Sequence, residues 1–444
     1  MAVSLTKANT TATNRKKFTF SCWLKRGILS TQENFFTSIH NGSNEFQFRF
    51  DSDDEIRWVG SIGGVAAGFI NTKRLFRDTS GWYNIVIAGD TTQSTNIDRL
   101  KLYINGEQIA DGDLNTPGYP AQDTDFGFGT TDFNFCFGVS TPGTTNDPFS
   151  GIISHAHFID GTAYAASTFG STDATTGQWE INTSPTVTYG NNGFFILKNS
   201  NSLTDESGNA NNFTLESGTL TNTEDCPSNV FATLNPLYNQ TTGQGVSLAN
   251  GNTSCSYSSD SSRSAFGSIG VGTGKYYFEA KLNTAGTAPC IGIMNLAWQD
   301  LNKASGYAFQ DSALNFGYLA DGNKTSGGSS SSFGDTYTNG DIIGVAVDLT
   351  NSKLYFSKNG VWQNSGVPTS GATGTGSAYD LSSTATYTSA CRIRNGGDWS
   401  FNFGNGSFGT TTVSSAGTAG STPGIFEYDV PTNYQPLTTK GLNA

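Results

Sequence analysis

The sequence predicts an all-β protein built as two antiparallel β-sandwiches in tandem, and three observations carry that expectation. The 444 residues include 54 Gly, 31 Phe and 17 Tyr but only 14% charged side chains, the balance of a chain of short strands joined by polar turns. Apolar residues recur with a period of two rather than 3.6, as they do when one face of a strand is buried. The dipeptides Asn105-Gly106 and Asn359-Gly360 stand between alternating runs, where a tight hairpin needs two residues that accept positive φ. The chain is long enough for two or three domains, each with its own core.

Taken in order, Phe18, Phe20, Cys22 and Leu24 share one face of a strand with Trp23 on the other, and Phe46, Phe48 and Phe50 repeat the pattern. Ile56 and Trp58, the run from Trp82 to Ile87, and Leu100, Leu102 and Ile104 continue it at sandwich spacing. Ala163 to Phe169 is the main helical candidate. Phe194 to Leu197 reads as a buried strand inside an otherwise polar stretch. In the second half, Ile342, Val345, Val347 and Leu349 form a buried strand, and Leu354 with Phe356 forms the next, giving an antiparallel meander.

The order Gly340-Asp341-x-Ile-Gly-Val-Ala-x-Asp-Leu349, a polar turn, and Leu354-x-Phe-x-Lys-Asn-Gly360 resembles the core signature of SPRY domains. Gly274 to Glu279, Gly292-Ile293, Phe316 to Tyr318 and Trp399 to Gly404 match the flanking strands, so the resemblance covers about residues 245–412. It implies a β-sandwich interaction module, and for function it is an analogy of fold. Phe18 to Trp23, Gly81 to Ile85, Leu102 to Gly106, Phe149 to Ile153 and Phe158 to Gly161 resemble the ordered landmarks of a laminin-G-like, concanavalin-type jelly roll over about residues 15–170. The expected division is an N-terminal arm at 1–14, the first sandwich at 15–170, an extension and connector at 171–244, the second sandwich at 245–412 and a C-terminal docking tail at 413–444. Asp225-Cys-Pro227-Ser-Asn229 is echoed by Asp429-Val-Pro431-Thr-Asn433, and the repeated phrase suggests a repeated docking task for Asp225, Pro227, Asn229, Asp429, Pro431 and Asn433.

This pairing of domains and phrase resembles structural proteins of tailed bacteriophages. It implies a virion surface protein, either a head fibre or decoration or a tail-associated adhesin, that contacts other virion proteins and a host surface glycan or protein, as a homo-oligomer. A glycan-degrading virion hydrolase and a purely structural cement are the competing readings. Net charge is −12 and repels phosphate, which argues against nucleic acid. No window is apolar enough to span a bilayer, and the first thirteen residues lack a signal-peptide core, so neither membrane insertion nor export by the usual route is expected.

No catalytic residue is predicted. Retaining glycosidases need two carboxylates about 5 Å apart, and the family's Glu-x-Asp-x-x-Glu strand is missing; the acidic stretch Asp51 to Glu55 reads as a solvated turn. His155 and His157 share a strand face and so could share a metal, but no third ligand is evident and a structural role is expected. No cofactor is predicted. The laminin-G-like resemblance implies that calcium at the sandwich rim is possible, and Asp90, Asp98, Asp123 and Asp125 lie in turns, yet their spacing fixes no coordination set and calcium is not predicted. Six scattered cysteines without a Cys-x-x-Cys pair read as buried free thiols. Binding is expected of aromatics near the SPRY loops, and Trp298, Tyr318, Trp362 and Trp399 are the candidates, with core packing as the alternative for each.

Overall fold

The computed structural model describes residues 2–41, 44–62, 65–127, 131, 133–238, 245–297, 308–417 and 424–442. The chain forms two compact units, Met1–Thr221 and Asn222–Ala444, and both are antiparallel sandwiches. Among the described residues helix is confined to single turns, and no helix is long and apolar enough to cross a membrane. The stretch expected to be helical, 163–169, contains only a 3-10 turn at Ala166–Thr168, because Ala166 and Phe169 are held down on a sheet face where an extended path covers more surface.

In the first unit a seven-stranded sheet runs in the order Thr214–Ser217, Ser4–Ala8, Asn134–Phe137, Glu33–Asn41, Asn44–Phe50, Glu55–Ile62 and Val65–Leu75. It faces a six-stranded sheet of Phe194–Ile196, Gly151–Asp160, Lys17–Arg26, Tyr83–Asp90, Leu100–Ile104 and Glu107–Gln108. The alternation read from the sequence sends Phe18, Phe20, Cys22 and Leu24 inward against Phe36, Phe46, Phe48 and Trp58, and Phe20 stacks on Phe36 at 4.4 Å between centroids. The hairpin at Asn105-Gly106 has φ of 49° and 83°, as its two residues require. The expected arm is part of the sandwich: Leu5 pairs with Phe137 on one side and Leu215 on the other. The expected connector likewise supplies one strand to each of this unit's main sheets, Phe194–Ile196 and Thr214–Ser217, since apolar Phe194, Ile196 and Phe213 have a core to fill.

In the second unit one sheet is built from Ser247–Ala249, Ser254–Tyr257, Gly397–Asn402, Lys275–Thr284, Ile342–Asp348, Lys353–Lys358 and Val361–Trp362 in that order. The other runs Arg263–Phe266, Tyr387–Ile393, Cys290–Asn295, Phe316–Leu319, Asn323–Ser326 and Ser329–Ser332. Ile343, Val345, Val347, Leu354 and Phe356 fill the core between them.

The expected C-terminal docking tail is instead a strap folded onto this sandwich. Tyr277, Ala346 and Tyr355 stand side by side on three adjacent strands and face away from the core, and Phe426, Val430 and Tyr434 bury them. Gln435–Pro436 then adds in parallel beside Tyr276 and Tyr277. The first echoed phrase and the residues after it meet the segment that follows the second: Ala232 donates its N–H to the carbonyl of Leu437 and Thr439 to that of Val230, while Lys440 N–H reaches Asn229 Oδ1 at 3.2 Å. Asp225 and Asn229 are buried, Pro227 and Pro431 are partly so, and Asp429 and Asn433 are exposed. The first phrase thus joins the start of this domain to its C-terminal segment, which corrects the docking role for the buried pair Asp225 and Asn229.

Glu279 is the clamp for the strap. Its fully buried carboxylate accepts the backbone N–H groups of Glu427 and Tyr428, both at 2.9 Å, together with the Tyr277 hydroxyl and the Asn402 amide. Burial raises its pKa from 4.5 to about 7, against the pull of those donors. A carboxyl that holds its proton more tightly when folded adds stability below its ordinary pKa and loses it as pH rises toward the folded one. The melting midpoint of this unit is therefore expected to fall between about pH 4.5 and 7, and Glu279→Gln should flatten that slope in a pH series of thermal melts.

Candidate binding groove

Strand alternation in the second unit turns Cys255, Leu282, Trp399 and Phe401 into the core. It leaves Ser254, Ser256, Asp398 and Ser400 on the opposite face. Next to the strap-covered area, these residues form the floor of an open groove of about 310 Å³, edged by Ser247, Asn250 and the hairpin from Phe408 to Thr411. A register break between Leu282 and Thr284 makes Asn283 the extra residue of a bulge. Its amide donates to Asp398 Oδ1 and to Ser400 Oγ, both at 2.8 Å. Ser400 Oγ lies 2.9 Å from Ser254 Oγ, which accepts the Asn250 amide at 3.0 Å. Gly409, at φ +61°, passes so close that a Cβ would stand 2.9 Å from Asn250 Nδ2 and Ser254 Oγ, so the hairpin reaches this position only with glycine.

The lining contains one ionisable carboxylate, Asp398, and no cation. It therefore offers amide, hydroxyl and carboxylate groups to a neutral hydroxyl-rich ligand and repels phosphate. It also lacks the second carboxylate that glycoside hydrolysis needs. Among the described residues, none of the aromatic candidates lines this groove. The available signal was the polar phase of Ser254-x-Ser256 and Asp398-x-Ser400 around Cys255 and Trp399, which reads as an ordinary wet sheet face until the hairpin is placed over it.

The aromatic candidates do not converge. Trp399 is fully buried and its indole N–H donates to the Arg392 carbonyl at 3.2 Å. Tyr318 is equally buried, with its hydroxyl donating to the Asp335 carbonyl. Both are core residues because they occupy inward phases of their strands. Trp362 is half-buried and packs edge-on to Tyr277, 6.3 Å away, under the strap. Trp298 lies outside the described residues.

The other acidic and histidine candidates take structural roles. His157 is buried, stacks on Phe195 at 3.9 Å and bonds Tyr189 through Nδ1 at 3.0 Å; burial holds its pKa well below the usual histidine value and moves His155 down to about 4. His155 also lies beside Phe195, at 5.7 Å between centroids, with its Nδ1 2.7 Å from Ser154 Oγ, at a bulge between Ser154 and His157. Among the described residues no group of His, Cys, Asp and Glu could hold a metal. The four rim aspartates each face a cation: Lys17 to Asp90, Lys101 to Asp98, Lys16 to Asp123 and Arg15 to Asp125, at 2.9–3.5 Å. The acidic turn is only partly solvated, because Asp54 is buried with Arg26 and Arg77.

Among the described residues the chain presents two sandwiches with filled cores and, on the second, an open polar groove. Residues 2–167 match the laminin-G-type family of the concanavalin A-like lectin/glucanases superfamily, and residues 275–390 match the SPRY domain. Over 91 residues it is 36% identical to the Ran-binding proteins 9/10 homolog of Drosophila melanogaster, covering 20% of this chain and 9% of that one. Ran-binding protein 9 of Danio rerio is 32% identical over 95 residues, 21% of this chain and 15% of its own. The chain thus spans a small fraction of these relatives' length. Among solved structures, the SPRY domain of human HERC1 shares 18% identity over 35% of this chain and 91% of its own, with a TM-score of 0.28. A heptameric SAP-like pentraxin from Limulus polyphemus shares 12% over 45% and 90%, with a TM-score of 0.29.

Proposed function

We propose that this chain is a non-enzymatic binding protein of a bacteriophage particle surface, and that the groove of its second sandwich takes a neutral host glycan. The observation that carries the binding role is the convergence of Asn283, Asp398, Ser400 and Ser254 in an open cavity without a cation or a second carboxylate. Its volume lies at the lower end of ligand sites, roughly 300–1,000 Å³, which suits one or two sugar rings. The particle assignment is supported by the bacteriophage resemblance of the paired domains and their echoed phrase, and multivalent display beside other virion proteins, as a homo-oligomer, raises avidity without a new contact.

Binding of the purified chain to host surface polysaccharide, followed by biolayer interferometry, tests the groove. Asp398→Ala and Asn283→Ala should each weaken binding about 10–100-fold, the worth of a hydrogen bond to a charged group, with thermal melts showing the second unit still folded at the binding temperature. Undiminished binding by both variants defeats the groove. Gold-labelled antibody on purified particles tests the location separately, and unlabelled particles in a lysate that contains the chain defeat that part alone.

A further inference from the structure

Cys255 and Cys391 belong to the two facing sheets of the second sandwich, on Ser254–Tyr257 and Tyr387–Ile393. Both are buried within its core, and their sulfurs are 3.5 Å apart. Cys290, on the strand beside Cys391, belongs to a separate cluster on the other face. Trp399 is the register partner of Cys255, and its indole N–H bonds the carbonyl of Arg392, next to Cys391, so this side chain links the two strands that carry the thiols. With no third metal-ligating side chain grouped with them among the described residues, a metal does not account for the pair. Closing the gap to a disulfide takes a sulfur movement of about 1.5 Å, within the reach of side-chain rotation.

We propose that Cys255 and Cys391 are an oxidation site that forms an inter-sheet disulfide when the chain folds in an oxidising medium. The two thiols lose two protons and two electrons as the S–S bond forms; a small-molecule disulfide, such as oxidised glutathione, accepts them and is cleaved to two thiols. Burial raises the Cys255 thiol well above its ordinary range, and the neighbouring Cys391 raises it further. The thiolate needed for exchange is therefore scarce in the closed sandwich, and the bond forms before the sheets close and is then shielded from reductant. The link encloses a separation of 136 residues, the long-loop case in which a cross-link restricts the unfolded chain most. Cys255 is also flanked by Ser254 and Ser256 on the groove floor, so the bond ties that floor to the opposite sheet.

Refolding the full-length chain from urea with oxidised and reduced glutathione tests this. Peptide mapping without reductant should recover Cys255 and Cys391 in one linked fragment lighter by two hydrogens, and the second unit should melt roughly 5–10 °C higher than the reduced chain. Cys391→Ala should abolish the fragment and the rise, while Cys226→Ala, at the partly exposed thiol, should leave both. Recovery of Cys255 and Cys391 as alkylatable thiols after oxidative refolding, or of either one linked to another cysteine, overturns the proposal.

Discussion

Tyr434→Ala will lower the stability of the second unit by about 3–5 kcal/mol, the cost of deleting a large buried ring. The side chain is fully buried, its hydroxyl donates to the Pro368 carbonyl at 3.0 Å, and it packs with Tyr277, Tyr355, Phe426 and Val430. Truncation removes those contacts and strands the carbonyl. It also loosens the strap at the point where Gln435–Pro436 enters the sheet, so the outer faces of Tyr277 and Tyr355 become wet. Urea unfolding followed by tyrosine and tryptophan fluorescence gives the difference. Asn433→Gly is the control: the neighbouring residue is exposed with φ of +68°, a conformation glycine adopts freely, and its loss should change stability by less than about 1 kcal/mol. A Tyr434→Ala effect as small as the control would mean that the strap rides on the domain without holding it.

The strap also shows where a sequence stops being legible. Phe333 to Gly360 could be read residue by residue, because alternation, a two-residue turn and an inward apolar phase all point the same way. Phe426, Val430 and Tyr434 are four residues apart, the spacing of one helix face, but Pro431 stands inside the stretch and breaks a helix there, so the periodicity does not point to the non-helical strap that buries them. A signal for them did exist, on the other partner: Tyr277, Ala346 and Tyr355 occupy outward phases of their strands, and an apolar outer face calls for a cover. The same test applied to Ser254, Ser256, Asp398 and Ser400 finds a polar outer phase, and there the face is open. Strand phase therefore separates core from surface here, and Trp399 and Tyr318, for which core packing is the alternative to binding, take the inward phase.

Arg26 poses the same question inside the first unit, where it continues the inward phase of Phe18, Phe20, Cys22 and Leu24. A cation at a core position needs counter-ions, and the structure supplies them: Glu33 Oε2 and Asp54 Oδ1, each 3.2 Å away, with all three side chains at most 1% exposed. The guanidinium also donates to the Phe76 carbonyl at 2.7 Å and lies 4.1 Å from the Phe50 ring centroid. Replacing Arg26 by methionine keeps most of the volume but leaves two buried carboxylates with one fewer cation, a loss expected at about 3–5 kcal/mol. The loss should depend on pH. Burial already raises the Glu33 pKa from 4.5 to about 7 in spite of the Ser150 N–H and Arg26. Asp54 is held below its ordinary value because Arg77, the Ser30 N–H and Arg26 outweigh the effect of burial. Near pH 5 Glu33 can take up a proton and escape the missing cation, whereas near pH 8 it cannot without a larger cost. Arg26→Met should therefore be markedly more destabilising at pH 8 than at pH 5, measured by urea unfolding of the first unit. Arg77→Met, whose guanidinium is about half exposed while Arg26 still faces Asp54, should cost only about 1 kcal/mol. Equal losses at both pH values would show that Arg26 matters for its packing on Phe50 rather than for its charge.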